Sequence, residues 1–476
     1  MFVLSQLTPK DVFTYFEQIS AIPRASGNTA AVSDYCVAFA KAHGLAFRQD
    51  EWHNVVIYKP ASKGKETAPT TVLQGHLDMV AQKDPESTHD FTKDGLALQV
   101  RGDMLSADGT TLGADNGIAV AMILAILADD TLPHPPLEAV FTADEETGMD
   151  GAIGLNPEWI TGRRFLNLDS EEEGVLTVGC AGGARAELCL PVARIEGGPP
   201  TYEVTVSGLT GGHSGAEIHT GRENANHVLA QYLYSLPFEF QIVSLTGGEK
   251  DNVITKESHA VLVTNGNLQA AADFFLAHYA YNRAADPHLN ITVKKVFDCS
   301  EGLTLTDTRK VVRFLQELPY GVQAMSEEFK DLPKTSLNFG MLMLEKECLH
   351  ATFSVRSAVA AEKEELLHTL SNICEKYGGT FSTHGHYPAW EYRKDSPLRE
   401  TVAQVYRTLF GKEPKIAATH GGLECGLFCE KLSGLDAVSF GPDMWDIHTP
   451  SERLSIASVA RTYQLLTAVL AEIREG

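Results

Sequence analysis

The chain has no excess of basic residues, no long apolar run and no paired-cysteine motif. Lysine and arginine total 39 against 62 aspartates and glutamates, a net charge of −23 over 476 residues. Phosphate contacts need basic surface, so the balance works against a general nucleic-acid binder. It gives no support for docking on anionic lipid either. The longest apolar run, Gly117–Ala128, is too short and wrongly flanked for a membrane span of about 20 residues. The opening MFVLSQLTPKDVFTYFEQ lacks a basic stretch, an apolar core and a small-residue cleavage site, so no signal peptide is expected. The cysteines, at 36, 180, 189, 299, 348, 374, 425 and 429, form no C-x-x-C pair and no framework spacing, which fits a reducing cytoplasm best. Cys425 and Cys429, four apart, read as small packing residues of a helix. There is no H-E-x-x-H, Walker loop or G-x-G-x-x-G. Gly211-Gly212-His213-Ser214-Gly215 is a residue short of a G-x-S-x-G nucleophile elbow.

What is present is ordinary globular composition, 43% hydrophobic and 21% charged, which excludes wholesale disorder. At roughly 150 residues per domain, the length corresponds to about three units. The first 180 residues alternate helix and strand signals. Pro9–Ser20 and Asn28–His43 have helical apolar spacing. Thr70–Leu73, Leu137–Thr142 and Phe165–Leu168 are short strand-like runs, and IAVAMILAILA lies in a helix between the first two. This succession predicts an α/β layer with a largely parallel sheet flanked by helices.

The middle of the chain reads helix-strand-strand-helix-strand twice, once from Asn224 and once from Asp307. The order predicts an inserted α+β lid domain built from a duplicated sandwich unit. The last 90 residues or so return to α/β texture, with a helix at Glu400–Phe410, a strand at Ala437–Phe440 and a closing helix at Ile456–Arg474. The expected architecture is a split catalytic domain, residues 1–182 and 388–476, interrupted by a lid at 183–387. Glycine and proline cluster at both seams.

Titratable residues follow the strands. Gly75-His76-Leu77-Asp78 follows the first, Asp144-Glu145-Glu146-Thr147-Gly148 the second and Asp169 the third; His448 comes shortly after Ala437–Phe440, and Asp115 opens the apolar helix. Functional crevices of open α/β sheets lie outside the carboxyl ends of the strands. Taken singly, each segment has a bland reading: a solvated strand end, an acidic turn, a loop histidine, a helix cap. Taken together they aim Asp78, Asp115, Glu145, Glu146 and Asp169 at one rim. Carboxylates that close cannot all stay ionised without cations. Two divalent ions would balance three carboxylates and a hydroxide, and mixed imidazole and carboxylate donors suit zinc, with manganese or cobalt as alternatives.

The set LQGHLDMV, GADNG, ADEETG, LNLDSEEEG and His448 resembles the co-catalytic metallopeptidases that include aminoacylases, carboxypeptidase G-type enzymes and carnosinases, and within them the Xaa-His dipeptidases. The resemblance covers the whole length, including Ile22–Gly27 and Gly421–Gly426. It implies two Zn²⁺ per subunit, with Mn²⁺ or Co²⁺ possible: His76 and Asp169 on one metal, Glu146 and His448 on the other, Asp115 bridging. It implies Asp78 behind His76, a cis peptide after Asp115, and Glu145 as general base for a metal-bridged water. His213 would stabilise the oxyanion, in its own or the partner subunit. Asn252, Arg356 and Glu424 would bind substrate, Arg356 at the carboxylate and Glu424 at the free amine. The implied activity is cytoplasmic hydrolysis of dipeptides, preferentially Xaa-His including β-alanyl-histidine, by a homodimer joined through the lid. A tripeptidase, an N-acyl-amino-acid deacylase and a catalytically silent metal-binding protein are the alternatives.

Overall fold

The computed structural model describes residues 3–196, 200–296 and 301–473. Cys299 and Arg474, the expected end of the closing helix, lie outside them. The chain divides into two compact units: Met1–Gly179, Tyr392–Ala418 and Leu423–Gly476 form the first, and Cys180–Glu391 with Thr419–Gly422 the second.

In the first unit an eight-stranded sheet runs Ala46–Gln49, Val55–Lys59, Leu137–Thr142, Thr71–His76, Arg164–Asn167, Asp436–Ser439, Val175–Cys180, Lys415–Thr419. The four strands from Leu137–Thr142 to Asp436–Ser439 are mutually parallel. Ala46–Gln49 and Val55–Lys59 join antiparallel, as does Val175–Cys180. Every residue of Thr71–His76 and Leu137–Thr142 is buried, as expected of parallel strands covered on both faces. Helix Ala114–Ala128 is apolar all round beyond Asn116 and buried from Ala114 to Leu127. It packs on helix Lys10–Ser20 and strand Thr71–His76. Gly75 allows that approach, since a Cβ there would lie 2.5 Å from Asn116 Oδ1.

Register levels the functional ends. His76 pairs with Thr142 and Gln74 with Asn167, so the segments after all three strands leave the sheet at one edge. A four-stranded sheet that the sequence patterns did not predict holds the late histidine. Met444–Trp445 and Arg453–Ser455 pair antiparallel, and Arg453–Ser455 pairs on Met104–Ala107. His448 sits in the loop of that hairpin.

The second unit centres on one sheet ordered Asn290–Lys295, Thr201–Ser207, Ser258–Val263, Gln241–Gly247, Pro333–Leu344, Cys348–Ser357, Gly182–Pro191, Thr380–Tyr387. Its halves mirror each other about the junction of Gln241–Gly247 with Pro333–Leu344. Each half contributes two long helices and four strands to that order, and a ninth strand, Gly321–Met325, pairs on Pro333–Leu344 beside it. The expected duplication is present with one difference. The first strand of the second half, Gly182–Pro191, precedes the whole first half in the chain. Cys189 and Cys348 form a disulfide here, a pairing the cysteine spacing did not suggest.

Candidate metal centre

Five predicted ligands converge in the first unit. His76 Nε2 lies 3.3 Å from Asp115 Oδ1 and 3.7 Å from Asp169 Oδ1. His448 Nε2 lies 3.1 Å from Asp115 Oδ2 and 3.0 Å from Glu146 Oε1. Two donor triads result, His76–Asp115–Asp169 and Asp115–Glu146–His448, and Asp115 turns one oxygen to each. The donor chemistry fits a pair of divalent ions of the zinc class, two imidazoles and three carboxylates around neighbouring positions.

Electrostatics favour the same reading. Burial pushes the Asp169 carboxyl well above the usual range; Asp115 and Glu145 add to this and His76 opposes it. The Asp115 and Glu146 carboxylates hold His448 protonated, up to about 11. A cation would displace that proton and compensate the carboxylates together.

Local backbone sets each donor. Gly113, in the left-handed region at φ 63°, precedes Asp115, whose own φ/ψ of −77°/107° is non-helical. The Asp115–Asn116 peptide is cis. Asn116 bridges two strand ends: Oδ1 accepts from His76 N–H (3.2 Å) and Nδ2 donates to Leu168 O (2.9 Å). Asp144 and His448 adopt positive φ, 55° and 62°, a conformation uncommon outside glycine that clusters at functional sites.

Asp78 does more than stand behind His76. Its Oδ1 lies 3.3 Å from His76 Nδ1. The same carboxylate accepts the Glu145 N–H (3.1 Å), the Glu146 N–H (3.3 Å) and the Ser26 hydroxyl (2.8 Å). One buried side chain thus couples a ligand to the turn bearing Glu145. An oxygen of Glu145 lies near donor atoms of His76 and Glu146. Burial pushes the Glu145 carboxyl well above the usual range; Glu424, Glu146 and Asp115 add to this and His76 opposes it. A carboxylate so disposed can carry a proton near neutral pH.

Glu424, expected to meet a substrate amine, is fully buried, and its Oε1 has no hydrogen-bond partner among the described residues. Its Oε2 accepts from Gln74 Nε2 (2.6 Å) and Thr142 Oγ1 (2.7 Å). Asn167 Nδ2 donates to Gln74 Oε1, and Asn167 Oδ1 accepts the Asp169 N–H. Glu424 therefore ends a polar chain that runs beneath the site to Asp169. Burial brings its carboxyl up to about 7.

Two supporting residues carried no sequence signal of their role. The Glu452 carboxylate accepts the backbone N–H groups of Leu112, Gly113, Ala114 and Asp115 at 2.8–3.3 Å. Buried Arg24 donates to Leu77 O and Asp78 O at 3.0 Å and to Gly113 O. Burial lowers its guanidinium to about 10 while the site's acids oppose the shift, so it stays cationic at neutral pH. Arg24 lies in the Ile22–Gly27 stretch, yet nothing local announces which carbonyls it holds.

His213, Asn252 and Arg356 gather within the second unit. His213 pairs with Val253 across a short ladder, and Ser214 N–H donates to Asn252 O (2.9 Å). A Cβ on Gly215 would lie 2.9 Å from His213 Cε1 and 3.3 Å from Arg356 Cζ. Arg356 donates to the Tyr387 hydroxyl at 2.8 Å. His420, not anticipated, is buried against Ser336 Oγ (2.7 Å); burial and Arg356 bring it down to about 3, so it is neutral.

The family model for Peptidase family M20/M25/M40 matches residues 72–472. The cytosol non-specific dipeptidase of Escherichia coli is 36% identical, covering 99% of both chains. The crystal structure of aminoacylhistidine dipeptidase from Vibrio alginolyticus matches at TM-score 0.91 and 34% identity, covering 99% of this chain and 98% of that one. A Bacillus cereus aminopeptidase, 15% identical at TM-score 0.57 over 98% of this chain and 99% of that one, shares the fold. The chain belongs to peptidase family M20/M25/M40 and is a peptide hydrolase.

Proposed function

We propose that the protein is a two-metal dipeptidase acting preferentially on Xaa-His substrates, β-alanyl-histidine among them. The observation that carries this reading is the double triad sharing Asp115. The names of the Escherichia coli and Vibrio alginolyticus relatives both specify dipeptides, the second with histidine. His76, Asp169, Asp115, Glu146 and His448 would hold two divalent ions, zinc foremost, which would supply Lewis acidity toward a carbonyl and toward water. Glu145 takes a proton from the attacking water and returns it to the leaving amine. Asp78 holds the turn that carries Glu145 and orients His76. From the second unit, Arg356 takes the substrate carboxylate bidentately, His213 meets the developing oxyanion and Asn252 binds alongside. The working compartment is the cytoplasm.

Chelation is expected to abolish turnover of β-alanyl-histidine and glycyl-histidine, and Zn²⁺, Mn²⁺ or Co²⁺ to restore it. Metal affinity should fall as pH falls, because protons compete for the same imidazoles and carboxylates. Including non-histidine dipeptides, tripeptides and N-acetyl amino acids in the panel separates an Xaa-His enzyme from a broad dipeptidase, a tripeptidase and a deacylase. Turnover indifferent to chelation would overturn the metal mechanism. Sedimentation equilibrium is expected to give a dimer formed through the second unit; a fully active monomer excludes a site shared between subunits.

A further inference from the structure

The second unit carries a donor cluster that the proposed reaction does not use. Strand Gly182–Pro191 pairs antiparallel with Cys348–Ser357, with Cys189 opposite His350 and Pro191 opposite Cys348. Residues two apart on a strand share a face, and so do cross-strand partners. Cys189, Cys348 and His350 therefore project from one face, while Leu188, Leu190, Leu349 and Ala351 fill the core on the other. Donor atoms of the three lie within 4.8 Å of one another. Glu345 Oε2 stands 3.5 Å from His350 Nε2.

A disulfide has no use for an adjoining imidazole. Two thiolates and a histidine are a zinc-type donor set, and a carboxylate behind the histidine is the arrangement that orients metal-ligating imidazoles. We propose that Cys189, Cys348 and His350 form a further metal site, which holds one thiophilic divalent ion of the zinc class when the cysteines are reduced. The Cys189–Cys348 disulfide is the metal-free state of that site. An external dithiol converts the disulfide into the metal-binding form. It passes two electrons and two protons to the sulfurs, cleaving the S–S bond, and leaves as a cyclic disulfide. Ion binding then releases the thiol protons to solvent. Three protein donors leave a fourth position for water.

The test is Co²⁺ titration of the full chain, with its catalytic metals in place, after dithiol reduction and desalting. Only thiolate ligation gives an intense sulfur-to-cobalt charge-transfer band, so ions at the oxygen and nitrogen donors of the first unit are silent in this readout. One equivalent is expected to develop the band in the reduced chain and none in the unreduced chain. Zn²⁺ should bleach it with no change in dipeptide turnover. Cys189→Ser and Cys348→Ser should each abolish it, and His350→Ala should weaken Co²⁺ binding at least about 10-fold. No band in the reduced chain, or a band that survives Cys189→Ser, overturns the proposal. If the serine variants do not fold, unchanged Co²⁺ affinity in His350→Ala overturns the three-donor site.

Discussion

Replacing Glu145 with Gln is expected to lower kcat for dipeptide hydrolysis by at least about 100-fold, the scale on which a general base contributes. Bound metal should stay at the wild-type stoichiometry. Glutamine keeps the shape of the side chain and removes only its capacity to accept a proton. Glu145 lies outside both triads that meet at Asp115, so its loss leaves those donor sets whole. The backbone N–H of residue 145 still reaches Asp78, which keeps the turn in place. Turnover and metal content measured on one preparation separate the outcomes. Near-normal turnover removes Glu145 from the chemistry, and loss of metal makes it a ligand instead.

Glu452→Ala is expected to destabilise the metal-free chain by about 3 kcal/mol or more. Four backbone donors share this carboxylate, and a buried donor left unpaired costs about 1–3 kcal/mol. The same N–H groups belong to the turn that aims Asp115, so metal affinity should fall about 10–100-fold. Denaturant unfolding of the chelated protein gives the first quantity and metal titration of the folded variant the second. A residue that merely supported the fold would move only the first. Unchanged values of both would show that the loop holds itself. Glu452→Gln retains one acceptor oxygen and should lie between the variant and the wild type.

Much of the site was legible because its chemistry is written locally. His76, Asp115, Glu146, Asp169 and His448 each stand at a strand end, a helix start or the loop after a strand, and an open α/β sheet sends such positions to one edge. Glu145 was legible beside Glu146 for the same reason. Glu452 was not, because its partners lie 337–340 residues away and a lone glutamate in a loop has no periodic signature. The buried chain from Glu424 through Gln74 to Asn167 was hidden likewise. Each member is an ordinary polar residue until the sheet sets it against the next. The duplication in the second unit was readable as element order. Its displaced first strand was not, since only hydrogen bonding assigns Gly182–Pro191 to the second half.

By itself the sequence located most of the helices and central strands and the acidic and histidine residues that gather at the sheet edge, because periodicity and side-chain chemistry are properties of short segments. Only the tertiary structure decided that Asp115 gives one oxygen to each triad, that Asp78 serves a histidine and a turn at once, and that Glu424 is closed off from the surface. Those facts depend on register and on contacts between segments far apart in the chain. The net charge of −23 shows the same division. Counting residues excludes partners, and only folding says which carboxylates gather at one place.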